Sequence, residues 1–407
     1  MGEPEKSSHW HRLPVIVWLG AAGVSTLADS AWSFSLNWAS TGIGAEFAGL
    51  TNALYTGVLS CFLLFGGVAG DRLGQRQLML RTLMCSVVGL AGFAVCASVG
   101  ISMVVLILVW DVISAMISGF RTPSQTVFIR QLVPPAQVPK WMSASSSVTL
   151  VMRLVGPALG GVLIMLGGIS LSATLNAVTF ILVICVLLRL HPTGGDASSP
   201  SQRSGFQDLV DGLKALRGHG AISHMLVGLC FVAGGFLPVT SLCLPLLAHA
   251  HSWSAGTGSA LVMASTAGSL AVSTVLTIIG PYRRPILPMV SGIAISAVAI
   301  AVLSQNIGVT GAVAAAFISG AGIVLFSLHL SPLYVLLTPA AMQSRFSSLL
   351  TLAQMLPTMV TSLVIGSVTQ NFSIQTALIV CACVGAVALV PLVWSQPLRE
   401  VTFPDKE

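Results

Sequence analysis

Four polar residues recur at four-residue steps inside an apolar segment near the start of the chain: Ser25, Asp29, Ser33 and Asn37. At about 3.6 residues per turn this spacing places them on one face of a helix whose other faces are apolar. A carboxylate in membrane hydrocarbon costs several kcal/mol, so Asp29 needs water, a polar partner or a proton on that face. The stripe therefore makes Asp29 a candidate proton-binding residue.

Two further charged residues, Asp111 and Arg153, lie well inside apolar segments, and we expect Arg153 to be the only base that does so. Counting ~1.5 Å per residue from the segment ends places all three near the middle of a ~30 Å hydrocarbon core. Two acids and one base leave one negative charge, which a low dielectric disfavours, so we expect one of the two carboxyls to bind a proton. Two alternatives stay open: Asp29 and Arg153 form a structural pair while Asp111 faces water, or the charges recognise the substrate.

The composition is that of a helical membrane protein. Of 407 residues, 55% are hydrophobic and only 7% are charged, whereas a soluble protein has about 25% charged residues. The apolar segments have the length of helices rather than the ~10-residue alternation of barrel strands. The eight cysteines lie in these segments without the spacing of a metal site or a disulfide framework.

Twelve apolar segments follow one another, each near the ~20 residues that cross a bilayer. They cover approximately 13–38, 47–70, 78–99, 102–126, 143–167, 170–190, 222–247, 256–279, 285–304, 308–337, 346–369 and 373–395. The loops alternate: one set carries Lys and Arg, and the other, which includes 39–46 and 248–255, carries neither. Cytoplasmic loops hold the excess of Lys and Arg, so we expect both termini in the cytoplasm. The net charge of +6 is then topological, and nucleic acid is excluded as a partner.

A polar stretch divides the chain into two groups of six segments. We expect an N-terminal six-helix bundle at 1–190, a cytoplasmic linker with a short amphipathic helix at 191–221, and a C-terminal bundle with its tail at 222–407. This organisation is typical of a transporter whose binding site lies between the halves near the membrane midplane.

The loop after the second segment carries the motif G-x-x-x-D-R-x-G-x-R, formed by Gly67, Asp71, Arg72, Gly74 and Arg76. It resembles the cytoplasmic loop motif of the major facilitator superfamily, which implies a latch between the halves in the outward-open state. Its glycines permit a tight turn, and an acid can face the N-terminal end of a neighbouring helix. The plainer alternative is a charged turn that only sets topology.

The fifth segment carries Gly156, Pro157, Gly160 and Gly161, which match G-P-x-x-G-G. This pattern resembles the motif of superfamily exporters that work as antiporters. The proline bends the helix and the glycines permit close packing of a neighbour, although an ordinary kinked helix has the same features.

Residues 120–161 and the eleventh segment resemble the drug:proton antiporter branch that includes macrolide efflux proteins and enterobactin exporters. The resemblance implies an all-α membrane protein of twelve helices in two six-helix bundles, with segments one, four and five lining the central cavity. Relatives often carry an arginine twelve residues before a fourth-segment proline, and counting back from Pro123 gives Asp111 here. We list as substrate-cavity candidates Ser25, Trp32, Ser33, Asn37, Trp110, Phe236, His329 and Gln354, although each aromatic is also compatible with plain packing.

These features predict a proton-driven exporter of amphipathic, drug-like compounds in the cell (inner) membrane. Its partners would be a small-molecule substrate, protons and the lipid bilayer, with no cofactor and no metal, and we expect a monomer. Three alternatives remain: a dedicated exporter of one siderophore or secondary metabolite, a lysolipid flippase, and a membrane enzyme or sensor. The sequence contains no nucleophile–base pair, zinc motif or phosphate loop for an enzyme.

Overall fold

The computed structural model describes residues 13–190, 214, 220–280, 282–338 and 343–401. Its long helices are α1 Leu13–Ile43, α2 Ala45–Leu73, α3 Gln75–Ser98, α4 Met103–Leu132, α5 Val138–Arg189, α6 Gly220–Pro238, α8 Ala255–Ile279, α9 Ile286–Leu303, α10 Val309–Leu337, α11 Gln343–Asn371 and α12 Ile374–Val387. Short helices are α7 Leu244–Ala250, α13 Leu389–Trp394 and α14 Gln396–Glu400. Within these ranges ten helices are long and apolar enough to cross a membrane. The amphipathic helix expected in the linker lies outside the described residues.

α5 is interrupted where the sequence predicted the fifth segment to end. Gly167 and Gly168 have non-helical backbone angles, and Gly168 has a φ of 66°, a conformation that side chains other than glycine rarely adopt. An unbroken helix of 52 residues would be ~78 Å long, more than twice the hydrocarbon thickness of a bilayer. The break leaves two parts, each long enough to span a membrane.

Two helices run further than the sequence predicted. α1 continues to Ile43 instead of ending at 38, and α4 continues to Leu132 instead of 126. The expectation that Arg153 is the only base well inside a span is therefore wrong, because Arg121 lies inside α4. The apolar pattern predicts only the part of a helix that lies in hydrocarbon. The helical hydrogen bonds of α1 and α4 continue through polar residues beyond it.

The chain divides into two compact units. The first consists of 1–36 and 61–202, and the second of 37–60 and 203–407, so α1 and α2 each contribute residues to both. The six-plus-six division at 1–190 and 222–407 stays a prediction.

In the first unit, α1 packs closely on both parts of α5. Gly156 and Gly160 of the first part face Ser30 and Ala31 of α1. The Ser35 hydroxyl of α1 lies 2.7 Å from that of Ser172 in the second part. These contacts fix α1, and with it Asp29, against α5.

In the second unit, small residues bring helix backbones together. Gly268 of α8 and Gly292 of α9 each face the backbone of α10, and Gly235 of α6 faces that of α12 at Gly385. α6 passes through a π-helical stretch, Val239–Cys243, into α7. The core of this unit is an apolar cluster that includes the fully buried Phe236 and Phe326.

Candidate functional site

One ion pair joins charged side chains in the part of the chain that the structure describes. Arg121 Nη2 of α4 lies 3.1 Å from Asp29 Oδ2 of α1. Asn176, in the second part of α5, donates its Nδ2–H to Asp29 Oδ1 at 3.1 Å. The carboxylate thus has a partner on each oxygen, one charged and one neutral, and three helices meet at it.

The two charged side chains differ in exposure. The Asp29 side chain is 32% exposed and that of Arg121 only 14%. The Arg121 guanidinium also lies over the Phe180 ring, 5.0 Å from its centroid, and its Nη1 is buried without a hydrogen-bond partner among the described residues. The acid is therefore partly open to its surroundings, while the base is largely enclosed and depends on Asp29 for its negative partner.

Sequence reasoning missed Arg121 and Asn176. Both carry a signal in hindsight: Arg121 precedes Pro123 inside the fourth apolar segment, and Asn176 interrupts the sixth. Asn176 and Phe180 are four residues apart, so they lie on one face of α5, and Thr179 Oγ1 donates to the Asn176 carbonyl at 2.9 Å. Both residues lie far from Asp29 in the sequence, at separations of 92 and 147 residues, so the sequence alone could not pair them with it.

Asp29, Asp111 and Arg153 are not joined to one another by side-chain hydrogen bonds or ion pairs in the described residues. Asp111 lies about 10 residues before Arg121 on α4, which separates them by ~15 Å along the helix. Its side chain is buried at 5% exposure, and no described residue bonds its carboxylate. The base beside Asp29 is Arg121, so the alternative of an Asp29–Arg153 pair is replaced by an Asp29–Arg121 pair.

Arg153 lines an open cavity of about 330 Å³ between α4 and the first part of α5. The cavity is bounded by Gln125, Ile129, Met142, Ser145, Ser146, Thr149, Leu150 and Arg153. The lining residues of α5 follow one another at three- and four-residue steps, so they form one face of that helix. Arg153 itself is exposed, whereas its backbone carbonyl accepts a hydrogen bond from Ser30 at 3.3 Å.

Two glycines of the fifth-segment motif lie against the residues that follow Asp29 in α1. A Cβ on Gly156 would overlap Ser30, and a Cβ on Gly160 would overlap the Ala31 carbonyl oxygen. Pro157 and Gly161 are buried in the same helix. The motif therefore sets how closely α5 approaches the part of α1 that carries the carboxylate.

Part of the loop motif can be placed. Gly74 has a φ of 80° between α2 and α3, which requires glycine. Arg76 donates from Nε and Nη2 to the Leu187 carbonyl at 3.1 and 2.9 Å, and from Nη2 to the Leu188 carbonyl at 3.1 Å. It thus caps the C-terminal end of α5, where cations are favoured. The side chains of Asp71 and Arg72 and the surroundings of Gly67 lie outside what the structure describes.

Two aromatic candidates for the substrate cavity lie in a buried cluster. Trp32 meets the rings of Phe93 and Trp110 edge-on, at centroid distances of 5.2 and 5.9 Å. Trp32 and Trp110 are each 5% exposed, so they pack within the first unit. On the polar stripe Ser25 is buried, Ser33 is exposed and Asn37 is partly buried.

The remaining candidates lie in the second unit. Phe236 is fully buried against Gly385, and Gln354 is partly buried. His329 is fully buried: its Nδ1 lies 2.9 Å from the Leu325 carbonyl, and its Nε2 accepts from the Tyr282 N–H at 3.2 Å. Both contacts together require a neutral ring with its proton on Nδ1, so this histidine holds the loop after α8 against α10.

A family model described as Major Facilitator Superfamily matches residues 16–361. The MFS-type transporter ppzB of Metarhizium rileyi (strain RCEF 4871) is 34% identical over 137 residues, which is 34% of this chain and 27% of that protein. The tetracenomycin C resistance and export protein of Streptomyces glaucescens is 33% identical over 122 residues, 30% of this chain and 21% of that protein. The matched region thus spans about a quarter of the length of each of these relatives.

Solved structures resemble the chain along most of its length. A mutant of the nucleoside transporter NupG has a TM-score of 0.71 at 13% identity, covering 93% of this chain and 99% of that one. An auto-inhibited peptide transporter of the POT family has a TM-score of 0.70 at 13% identity, covering 93% and 96%. At this identity the likeness shows the fold alone.

Proposed function

Because the chain belongs to the major facilitator superfamily and is a multi-pass membrane transporter, we propose that it is a secondary active exporter of amphipathic organic compounds driven by proton antiport. The proposal includes twelve spans in two bundles, cytoplasmic termini and residence in the cell (inner) membrane. Because the family and the matched relatives are transporters, the proposal includes no enzymatic activity.

The observation that carries the proton-antiport proposal is the Asp29–Arg121 ion pair. Asp29 lies about 14 residues from the end of α1, or ~21 Å along it, so the pair belongs to the middle of the helices. A charge at that depth is costly and typically functional. A partly exposed carboxylate held by an enclosed guanidinium is a site at which a proton and a cation can compete for one acid.

The mechanism follows from that competition. A proton on Asp29 neutralises the carboxylate and removes its attraction for Arg121, which loosens the link between α1 and α4. Loss of the proton restores the pair. Each protonation state thus favours a different arrangement of the two helices, which is the property that a proton-coupled transporter needs.

The direction of transport is supported by two features. The G-P-x-x-G-G pattern of α5 resembles that of antiporting exporters and packs beside Asp29. One relative is named as a resistance and export protein for tetracenomycin C. That name also favours a second candidate function, a dedicated exporter of one secondary metabolite. The lysolipid flippase remains an alternative that no described residue favours.

Everted membrane vesicles, energised so that their interior becomes acidic, test the proposal. We expect uptake of several dyes (ethidium, rhodamine 6G and rhodamine B) together with proton release, which an internal acridine dye reports. Vesicles without the protein give the background, and a protonophore should abolish the uptake. Asp29→Asn should remove proton-driven uptake while the protein is still inserted.

The outcomes separate the candidates. Movement of a single scaffold favours the dedicated exporter over the multidrug exporter. Uptake that ignores the proton gradient, or full proton-driven uptake by Asp29→Asn, contradicts proton coupling through Asp29.

A further inference from the structure

Four polar side chains converge on the cavity between α4 and α5 without a partner in the described residues. Gln125, Ser145, Thr149 and Arg153 line it, and none of these side chains makes a hydrogen bond or ion pair with another described residue. Ser146 donates to the Met142 carbonyl at 3.0 Å, so its oxygen remains available as an acceptor. Unpaired donors around an open space are what a polar ligand group requires.

Arg153 is the charged side chain that lines the cavity, and no carboxylate among the described residues pairs with it. Of the acids whose side chains are described in the first unit, Asp29 is paired with Arg121. Asp111 lies about 14 residues from Gln125 on α4, or ~21 Å along the helix. Neither carboxylate therefore neutralises Arg153, and the cavity attracts an anion.

The position of Arg153 makes an anion more favourable still. It lies about 15 residues after Val138 and a similar distance before the break in α5, near the middle of a part that is long enough to span the membrane. An unpaired guanidinium at this depth is costly, and an anion bound there lowers that cost. Its planar fork of donors fits a carboxylate through two parallel hydrogen bonds.

We propose that this cavity binds a carboxylate, or a similar delocalised anion, on an otherwise apolar substrate. Arg153 pairs with the anion, Ser145 and Thr149 donate to it, and Ile129, Met142 and Leu150 contact the apolar body. The volume of about 330 Å³ suits a compact aromatic acid, at the small end of ligand sites. The inference rests on the proposed export function and adds an anionic class to its substrates.

Matched acids and amides test the site. The full-length protein in lipid nanodiscs is dialysed to equilibrium against naphthalene-1-acetate, biphenyl-4-acetate and indole-3-acetate, each compared with its amide, and empty nanodiscs correct for partition into lipid. We expect at least one acid to bind at least ten-fold more tightly than its amide. Equal binding of acid and amide in all three pairs, or binding of none, overturns the proposal.

Substitutions then localise the binding. Arg153→Gln should weaken the acid at least ten-fold and leave the amide unchanged. Arg153→Lys keeps the charge without the fork, so it should retain a preference for the acid at lower affinity. Arg130→Gln is the matched control, because it removes the same charge from an exposed position of α4 outside the cavity. If Arg153→Gln does not fold, Gln125→Leu should weaken the acid several-fold, and unchanged binding in the folded variants overturns the assignment.

The two proposals fail separately. Proton-driven dye uptake in vesicles, combined with acid binding that ignores Arg153, would overturn this inference and leave the export function. Acid binding that depends on Arg153, without any proton-linked transport, would support the site and contradict proton-driven export.

Discussion

At the scale of residues, the Asp29 carboxylate is held by two partners of different strength. The bond to Arg121 joins opposite charges, whereas the bond from Asn176 is neutral. Breaking a partly buried pair from one side leaves a charge without compensation, which costs more than removing both charges together. A proton on Asp29 has the same electrostatic effect as Asp29→Asn, so substitutions can imitate the two protonation states.

We therefore predict non-additive effects on stability. Asp29→Asn and Arg121→Gln should each lower the free energy of unfolding by ~1–3 kcal/mol, since each strands a partner in a poorly hydrated place. The double variant should lose less than the sum of the two losses. Thermal unfolding of the purified parent, the two single variants and the double variant in one detergent completes this double-mutant cycle.

Ser33→Ala is the control for that cycle, because Ser33 lies on the same face of α1 but is exposed. It should change the melting temperature little. Strictly additive losses would mean that Asp29 and Arg121 do not interact, and would remove the basis for competition between a proton and Arg121.

The sequence predicted one member of this pair and not the other. Asp29 stands out because its four-residue stripe is a local pattern on one helix. Arg121 does not, since its partner lies about 90 residues away and an acid–base match depends on which helices are neighbours. The predicted grouping of Asp29 with Arg153 is not formed by their side chains: the Arg153 backbone carbonyl accepts a hydrogen bond from Ser30, while its side chain lines a different space.

At the scale of helices, α5 positions the site through its missing side chains. Gly156 and Gly160 leave room for Ser30 and Ala31, so α1 approaches α5 at backbone distance. Beyond its break α5 carries Asn176, which bonds the Asp29 carboxylate. The first part of α5 therefore sets the approach of α1, and the second part sets the hydrogen bond to the carboxylate.

Methyl groups at these glycines should separate the two helices. We predict that Gly156→Ala and Gly160→Ala each lower the free energy of unfolding by ~1–3 kcal/mol, the usual cost of overpacking, and reduce transport. The measurements are the melting temperature and vesicle uptake at equal protein levels.

Gly20→Ala in α1 and Gly92→Ala in α3 are matched controls, since an added Cβ meets nothing within 4 Å at either position. Alanine is the better helix former by up to ~1 kcal/mol, so these variants should be as stable as the parent or slightly more so. Equal tolerance at all four positions would contradict close packing of α5 on α1.

Helix ends were predictable from the sequence where glycines mark a break or a loop. The glycine pair at 167–168 marks the break in α5, and the loops after α2 and α8 contain Gly74 and Gly280, both with positive φ. The π-helical stretch after Pro238 was not predicted, because a one-residue change in hydrogen-bond register leaves the apolar pattern of a segment intact. The latch function of the loop motif also stays a prediction. Within that motif, Arg76 donates hydrogen bonds to the last carbonyls of α5.

At the scale of the whole molecule, charge distribution decides orientation. The 18 Lys and Arg residues fall in the termini, in alternate loops or near the helix ends that border those loops, apart from Arg121 and Arg153. Arg130 is exposed near the C-terminal end of α4, and Arg284 is exposed between α8 and α9. The loops at Ser102 and Asn306, in contrast, carry no basic residue. Basic loops are retained in the cytoplasm. Applied to both units, this rule predicts that Arg130 and Arg284 face the cytoplasm and that Ser102 and Asn306 face the outside.

Single cysteines at these four positions test that sidedness on the full-length protein, with its eight native cysteines replaced. Ser102→Cys and Asn306→Cys should react with a membrane-impermeant maleimide in intact cells, because their loops are expected outside. Arg130→Cys and Arg284→Cys should react only after permeabilisation. The parent without added cysteine gives the background labelling. The reverse pattern would place the termini outside, and opposite results for the two units would contradict an even number of spans between them, which the predicted six-plus-six division requires.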